Sequence, residues 1–187
     1  VWTLDGKRVF HAVDPSLEGL DGSAVEDVLG RRYGHMFLET AASPASEGWV
    51  HYMYPAPGSL FPAWKSVFVK RVTFPSGKQH LVGSGIYDMQ MAKPFVEDVV
   101  ARAAALVAVR GPSAFDELRD KAGPFVFMDT YVFVDRVDGT ELVNGGQPSL
   151  EGKNLIELKD VRGKAVAKEY IAAALKDGSA WVEYYWY

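Results

Sequence analysis

The alternation of apolar and polar residues in the first half of the chain predicts a group of β-strands. Period-2 alternation covers residues 48–54, 65–74 and 79–87. Pro75-Ser76-Gly77, between the last two stretches, is typical of a tight hairpin turn. We therefore expect three consecutive antiparallel strands in this part of the chain.

Two shorter strands and a helix are predicted ahead of these three. Residues 1–12 predict a hairpin that turns at Asp5-Gly6. From about Ala24 to Ala42 the apolar residues recur at a roughly helical period, with Ser23 as the N-cap. This order of elements predicts an α+β fold, in which a helix covers one face of an antiparallel sheet.

The second half of the chain opens with a longer helical pattern. Apolar residues recur at i, i+3 and i+4 from Pro94 onward, and Gly111-Pro112 ends the pattern. Four further elements are predicted: a short helix from Ser113 to Leu118, a hairpin at 130–143 that turns at Asp138-Gly139, a helix at about 164–176 and a strand at 178–187.

The chain nearly repeats itself. Asp5-Gly6 returns as Asp138-Gly139, and Pro15-Ser16-Leu17-Glu18-Gly19 returns at the same offset as Pro148-Ser149-Leu150-Glu151-Gly152. Trp49-Val50-His51-Tyr52 returns one position closer, as Trp181-Val182-Glu183-Tyr184. The spacing predicts two tandem copies of one domain, at 1–90 and 91–187. The first lacks a leading helix and the second lacks its last two strands, so we expect another chain to complete the second sheet, as in a homodimer, or the second copy to be partly ordered.

Composition excludes several classes of protein. The net charge is −4 and acids and bases are interspersed, which argues against a nucleic-acid partner. No apolar run approaches the roughly 20 residues that span a bilayer, so we expect any membrane segment or export signal to lie outside this chain. The chain has no cysteine, which excludes disulfides, thiolate metal sites and thiol catalysis.

A set of segments is distributed over both halves of the chain: Gly48-Trp49-Val50 with Tyr52 and Tyr54, Lys65–Val72, Gly83-Ser84-Gly85-Ile86-Tyr87, Gly123-Pro124-Phe125-Val126, Tyr131-Val132-Phe133-Val134, Asp138-Gly139-Thr140, Leu150–Leu155 and Trp181-Val182-Glu183-Tyr184. Together these segments resemble the type 2 Cache domain, a family of PAS-like extracytoplasmic sensor modules of bacterial chemoreceptors and histidine kinases. The resemblance implies a PAS-like antiparallel sheet covered by helices, with a long helix leading into a second, partial copy. It also implies a small carboxylate or similar metabolite as ligand.

The third strand provides the first candidate ligand-binding residues. Period 2 places Tyr52 and Tyr54 on one face, which we expect to be the inner, helix-covered one. The opposite face carries His51 where the second copy has Glu183, which predicts solvent exposure. Apolar rings with polar tips suit the wall of a small pocket, although ordinary core tyrosines have the same pattern.

Four further residues complete the candidate set. Lys65 opens the next strand beside Trp64 and can hold a carboxylate by a charge-assisted hydrogen bond, or lie in solvent at a strand edge. The family pattern has a tyrosine where this chain has Phe68. Tyr87 is a candidate pocket wall, and His35 lies on the covering helix, where a surface position is the alternative.

The sequence predicts no catalytic centre, metal site or cofactor. The four histidines lack metal-ligand spacing and there is no Gly-x-Ser-x-Gly motif. The predicted function is an extracytoplasmic sensor that binds a small organic acid and passes a conformational signal to an attached output domain. A stand-alone periplasmic binding or accessory protein and a ligand-free dimerisation module stay open as alternatives.

Overall fold

The computed structural model describes residues 1–186, and in it the first half of the chain forms a four-stranded antiparallel sheet. The strand order is β1-β4-β3-β2, so the three long strands form consecutive hairpins, as the alternation predicts. Their bounds are Trp2–Thr3 for β1, Glu47–Pro55 for β2, Pro62–Thr73 for β3 and Gln79–Tyr87 for β4.

Helix α1 (Tyr33–Ala42) covers one face of this sheet, which confirms the predicted α+β class. The core between them is apolar and aromatic, and includes Phe37 of the helix with Val50 and Leu81 of the sheet. The prediction that the helix starts near Ala24 is wrong by about two turns. The side chain of Asp27 accepts backbone hydrogen bonds from Leu29 and Arg31, which holds this stretch in a loop instead of a helix.

The second half of the chain covers the opposite face of the sheet. Its first two α-helices are α2 (Lys93–Arg110) and α3 (Phe115–Arg119). The prediction that His51 faces solvent is wrong: His51 is 4% exposed, and its ring stacks on Phe127 with 4.2 Å between centroids. Period-2 alternation indicates which residues share a face of a strand. It does not indicate that a distant part of the chain packs on the face that carries His51.

Two short ribbons replace the continuous hairpin predicted at 130–143. Val132 lies between them and bonds to both sides: its N–H donates to the carbonyl of Phe125, and its carbonyl accepts from the N–H of Gly145. The ribbons are β5 (Val126–Phe127) with β6 (Thr130–Tyr131), and β7 (Phe133–Asp135) with β8 (Glu141–Asn144).

Helix α4 (Val166–Asp177) follows, close to its predicted bounds. The predicted strand after it is wrong over the described residues: 178–186 pair with no strand, and Tyr187 lies outside the described residues. The backbone of this segment bonds two side chains instead: Tyr185 N–H donates to Asp160 Oδ2, and Lys164 Nζ donates to the carbonyl of Glu183.

The near-repeat of the sequence is also a repeat of backbone hydrogen bonds. Arg8 N–H bonds the carbonyl of Leu20, and at the offset of the sequence repeat Glu141 N–H bonds that of Lys153. Asp27 Oδ2 accepts from the N–H of Met53, as Asp160 Oδ2 accepts from that of Tyr185. The two halves therefore fold their first hairpin and the following loop in the same way.

No helix within residues 1–186 has the length and apolar character needed to cross a bilayer.

Candidate ligand-binding site

Three of the candidate residues form a row across the sheet. Lys65 on β3 lies directly opposite Tyr52 on β2 and Tyr87 on β4. Residues opposite each other in antiparallel strands project from the same face, so the three side chains share the side that α1 covers. The backbone register therefore brings an ammonium group between two phenol rings.

Lys65 Nζ lies against aromatic faces and not against an acid. It is 5.1 Å from the ring centroid of Tyr54 and 4.9 Å from that of Tyr87. Among residues 1–186 no carboxylate pairs with it, and burial is the one cause that lowers its pKa. Lys65 is thus a half-buried cation, stabilised by two rings and free to bind an anion.

The two rings beside Lys65 are held in different ways. The hydroxyl of Tyr87 donates a hydrogen bond of 2.9 Å to the carbonyl of Pro55 on β2. Tyr54 packs edge-on against Tyr52, with 6.0 Å between ring centroids. The rings are therefore fixed by the sheet, and they form a preorganised wall at the end where β2 finishes.

Tyr52 lies deeper than the other candidates. Its ring stacks on Tyr33 of α1 at 4.2 Å between centroids, and it is 5% exposed. Burial is the main cause that raises the pKa of the Tyr52 phenol. Tyr52 therefore forms the floor of the site, in the helix–sheet core, while Tyr54, Lys65 and Tyr87 form its mouth.

Two basic residues lie near this mouth that sequence reasoning did not identify. Arg8 is 7% exposed, with its guanidinium 5.1 Å from the ring centroid of Trp2, and it lies within hydrogen-bonding reach of the Tyr33 hydroxyl. Burial lowers the pKa of His11, and the positive charge of Lys65 lowers it further. The only sequence signal was a basic residue within a predicted strand, which a surface position explains equally well.

Two candidates do not join the site. His35 points away from the sheet, and its Nδ1 is 3.3 Å from Glu39 Oε2 on the exposed side of α1. Trp64 precedes Lys65 and so projects from the opposite face, where the guanidinium of Arg31 lies 5.5 Å from its ring centroid. Neither side chain contacts the row formed by Tyr52, Lys65 and Tyr87.

The opposite face of β2 connects this site to the second half of the chain. The His51 ring is 5.4 Å from that of Phe95 on α2, and Trp49 is 5.0 Å from Phe95. His51 Nδ1 shares a hydrogen bond of 2.9 Å with Ser66 Oγ, and burial is the main cause that lowers its pKa to about 3. His51 is therefore neutral at physiological pH.

Cavities lined by described residues also lie outside the Lys65 site. A cleft of about 390 Å³ runs between β2 and α2, with Trp49 on one wall and Arg102 on the other. A smaller cavity of about 40 Å³ lies inside the second half, beneath α4 and the 178–186 segment. No group of histidine, aspartate and glutamate side chains within residues 1–186 is arranged to hold a metal ion.

Residues 114–187 match the Cache domain family model dCache_2. None of the curated proteins compared with the chain matches it. The match covers the last part of the second half and so includes α3, both short ribbons and α4.

Solved structures of sensor domains are also similar to the chain. One, described as the periplasmic sensor domain of a chemotaxis protein, is 32% identical over 47% of this chain and 60% of its own, with a TM-score of 0.41. A Cache chemosensory domain from a study of carboxylic acid recognition is 31% identical over 47% of this chain and 58% of its own, with a TM-score of 0.40.

A third is a methyl-accepting chemotaxis protein from Vibrio parahaemolyticus, at 23% identity over 46% of this chain and 55% of its own, with a TM-score of 0.38. The chain spans about three fifths of the length of each of these structures, or slightly less.

Proposed function

We propose that the chain is the ligand-binding part of an extracytoplasmic sensor, built from two tandem Cache-type units at 1–90 and 91–187. The first unit binds a small organic acid, and the binding is passed as a conformational signal to an attached output domain. The Cache match over residues 114–187 and the backbone hydrogen bonds that recur at the offset of the sequence repeat support this proposal. The role is one of binding, not of catalysis.

The observation that carries the proposal is the environment of Lys65. Its ammonium is half-buried between Tyr54 and Tyr87, and no carboxylate among the described residues neutralises it. Leaving a partly desolvated cation without a counter-ion costs free energy, and a bound carboxylate recovers it through a charge-assisted hydrogen bond. Arg8 adds positive charge nearby, so the mouth favours an anion.

Strand β2 offers a route for the signal. Its inner face carries Tyr52 and Tyr54, and its outer face carries Trp49 and His51, which pack on Phe95 of α2. A ligand that favours one position of β2 therefore also favours one packing of α2 on the sheet. The cleft of about 390 Å³ beside this contact leaves α2 room for a second packing.

Calorimetric titration with acetate, propionate and pyruvate tests the ligand class. We expect saturable binding of at least one of them, weakened at least tenfold in Lys65→Met, because a charge-assisted hydrogen bond contributes roughly 1.5–3 kcal/mol. Lys70→Met is the matched control: Lys70 lies on the same strand, pairs with Glu47 at 2.6 Å and should leave the affinity unchanged. Undiminished binding in Lys65→Met would contradict the proposal.

The stacking of Tyr33 on Tyr52 favours a second candidate function, a ligand-free dimerisation module whose aromatic residues only build the core. The same titration separates the two. If none of the acids produces heat with the wild-type chain, and the chain sediments as a dimer, the structural role is the correct one.

A further inference from the structure

The cavity of about 40 Å³ in the second half is lined by a carboxylate that has no counter-ion among residues 1–186. Glu141 lines it and is 2% exposed. Its Oε1 accepts a hydrogen bond of 2.5 Å from the side-chain amide of Asn144, but its Oε2 is buried without any partner. A buried carboxylate oxygen without a partner is costly, so its place on the cavity wall points to a ligand that donates a hydrogen bond to it.

A second carboxylate stands behind the cavity wall. Asp135 Oδ2 accepts a hydrogen bond from the hydroxyl of Tyr170, which lines the cavity, while Asp135 Oδ1 is buried without a partner. Burial is the main cause that raises the pKa of both Asp135 and Glu141. Two desolvated acids thus lie close together around a space that can hold a small ligand.

The charged groups that act on Glu141 are both acidic. They are Asp135 and Glu151, and each raises the pKa of Glu141. Glu151 is itself paired with Arg119, at 2.8 Å. The Arg119 charge is therefore already compensated, and a bound cation would favour the ionised form of Glu141.

The sequence repeat places an acidic residue in the second half where the first half has a basic one. Glu141 occupies the place of Arg8, because each donates the equivalent backbone hydrogen bond in its own half. The neighbouring polar position changes from His11 to Asn144 at the same offset. The same location in the fold is therefore cationic in one half and anionic in the other.

The rest of the cavity wall is aromatic and apolar. Tyr131, Tyr184 and Trp186 line it together with leucines at 150, 155 and 158. Aromatic faces attract organic cations, and a wall of this kind offers few oxygen ligands for a hydrated metal ion. The combination of one carboxylate with several rings suits an ammonium group that carries a small hydrocarbon part.

We propose that the second half of the chain binds a small organic ammonium ion in this cavity, with its nitrogen on Glu141 and its carbon atoms against Tyr184 and Trp186. The site is separate from the Lys65 site and has the opposite ligand charge. The chain then carries one site for an organic anion and one for an organic cation.

Calorimetric titration of the full chain with methylammonium and ethylammonium chloride tests this proposal, with potassium chloride at equal ionic strength as the reference. We expect saturable binding and a higher melting temperature with the ammonium salts only. Glu141→Gln keeps the shape and removes the charge, so we expect it to weaken binding at least tenfold. Glu169→Gln, on the exposed side of α4, is the matched control and should bind like the wild type.

Two further variants keep the test decisive. If Glu141→Gln fails to fold, Tyr184→Leu changes a wall residue that is 41% exposed and should still weaken ammonium binding severalfold. Lys65→Met should leave ammonium binding unchanged, which separates this site from the organic-acid site. The proposal is wrong if the wild type shows no saturable response beyond potassium chloride, or if Glu141→Gln binds ammonium as tightly as the wild type.

Discussion

His51 illustrates how a single buried side chain sets a pH dependence at the residue scale. Burial lowers its pKa to about 3 in the folded chain, from 6.5 for an exposed histidine. The unfolded chain therefore takes up a proton below pH 6.5 that the folded chain does not accept until about pH 3. The stabilising effect of a neutral His51 is complete above pH 6.5 and is lost as the pH falls, by on the order of 5 kcal/mol over that window.

Chemical denaturation between pH 7 and about pH 4 measures this effect. Carboxylates titrate in the same range, so the informative quantity is a difference between the wild type and His51→Gln. It is the difference in the slope of the free energy of unfolding against pH, which we expect to correspond to about one proton. His35→Gln is the matched control, since the His35 side chain is about half exposed. Equal slopes for the wild type and His51→Gln would show that His51 takes up its proton in the folded state.

The strand face on which each residue lies was the part of the site that the sequence predicted best. Period 2 placed Tyr52 and Tyr54 on the inner face, and the structure has both there, against α1. The same rule sends Trp64 to the face opposite Lys65, because consecutive strand residues alternate. Arg8 and Tyr33 could not be predicted, since their proximity to the mouth depends on how a distant hairpin and helix pack on the sheet.

At the scale of the element, Gly34 has no side chain and so allows the start of α1 to pack closely on the loop at Gly22. A Cβ there would lie 1.9 Å from the carbonyl oxygen of Gly22. An alanine in an exposed helix gains about 1 kcal/mol over glycine, but here it must displace a backbone atom. Overpacking of this kind costs about 1–3 kcal/mol or more, so we expect Gly34→Ala to lower the free energy of unfolding in spite of its better helix propensity.

Urea denaturation with His35→Ala as the control checks this prediction. His35 is the next residue of the same helix and points outward, so its replacement should change stability by less than about 0.5 kcal/mol. A Gly34→Ala chain that is more stable than the wild type would mean that the Gly22 loop moves aside at little cost.

The start of α1 was also where the sequence misled. The apolar period from Ala24 to Ala42 is roughly helical, but Asp27 bonds the backbone of Leu29 and Arg31 and competes with helical hydrogen bonds. A helical period of apolar residues indicates which residues would share a helix face. It does not indicate whether a nearby side chain accepts hydrogen bonds from the backbone N–H groups of that stretch. The same aspartate pattern recurs at Asp160, which bonds Arg162 and Lys164, and α4 again begins only after it.

At the scale of the whole molecule, Arg31 ties the two halves together. It is 1% exposed, and its Nε donates to the carbonyl of His51 at 2.9 Å. Its Nη1 reaches the second half, with 2.6 Å to the carbonyl of Val126 and 3.4 Å to that of Lys121. Burial lowers the pKa of Arg31 to about 10, so it stays charged at neutral pH, and Asp27 and Asp120 oppose that shift.

The repeat offers a matched control for the role of Arg31. Lys164 is its counterpart in the second half, and its Nζ bonds the carbonyl of Glu183 as Arg31 bonds that of His51. The Lys164 side chain is 30% exposed, and its bonds to Glu169 and Glu183 both stay within the second half. Replacement of both residues by methionine therefore separates the general effect of losing this cation from the effect of losing the link between halves.

We expect Arg31→Met to lower the free energy of unfolding by about 2–4 kcal/mol, because each buried carbonyl left without a donor costs roughly 1–3 kcal/mol. Lys164→Met should cost less than about 1 kcal/mol, since water can replace the exposed ammonium. Hydrogen exchange locates the difference: in Arg31→Met the amides near Val126 and His51 should lose protection together, ahead of the rest of the sheet. Equal losses of stability in the two variants would mean that the aromatic contacts of Trp49 and His51 with the second half hold the halves together without Arg31, which then serves only its own loop.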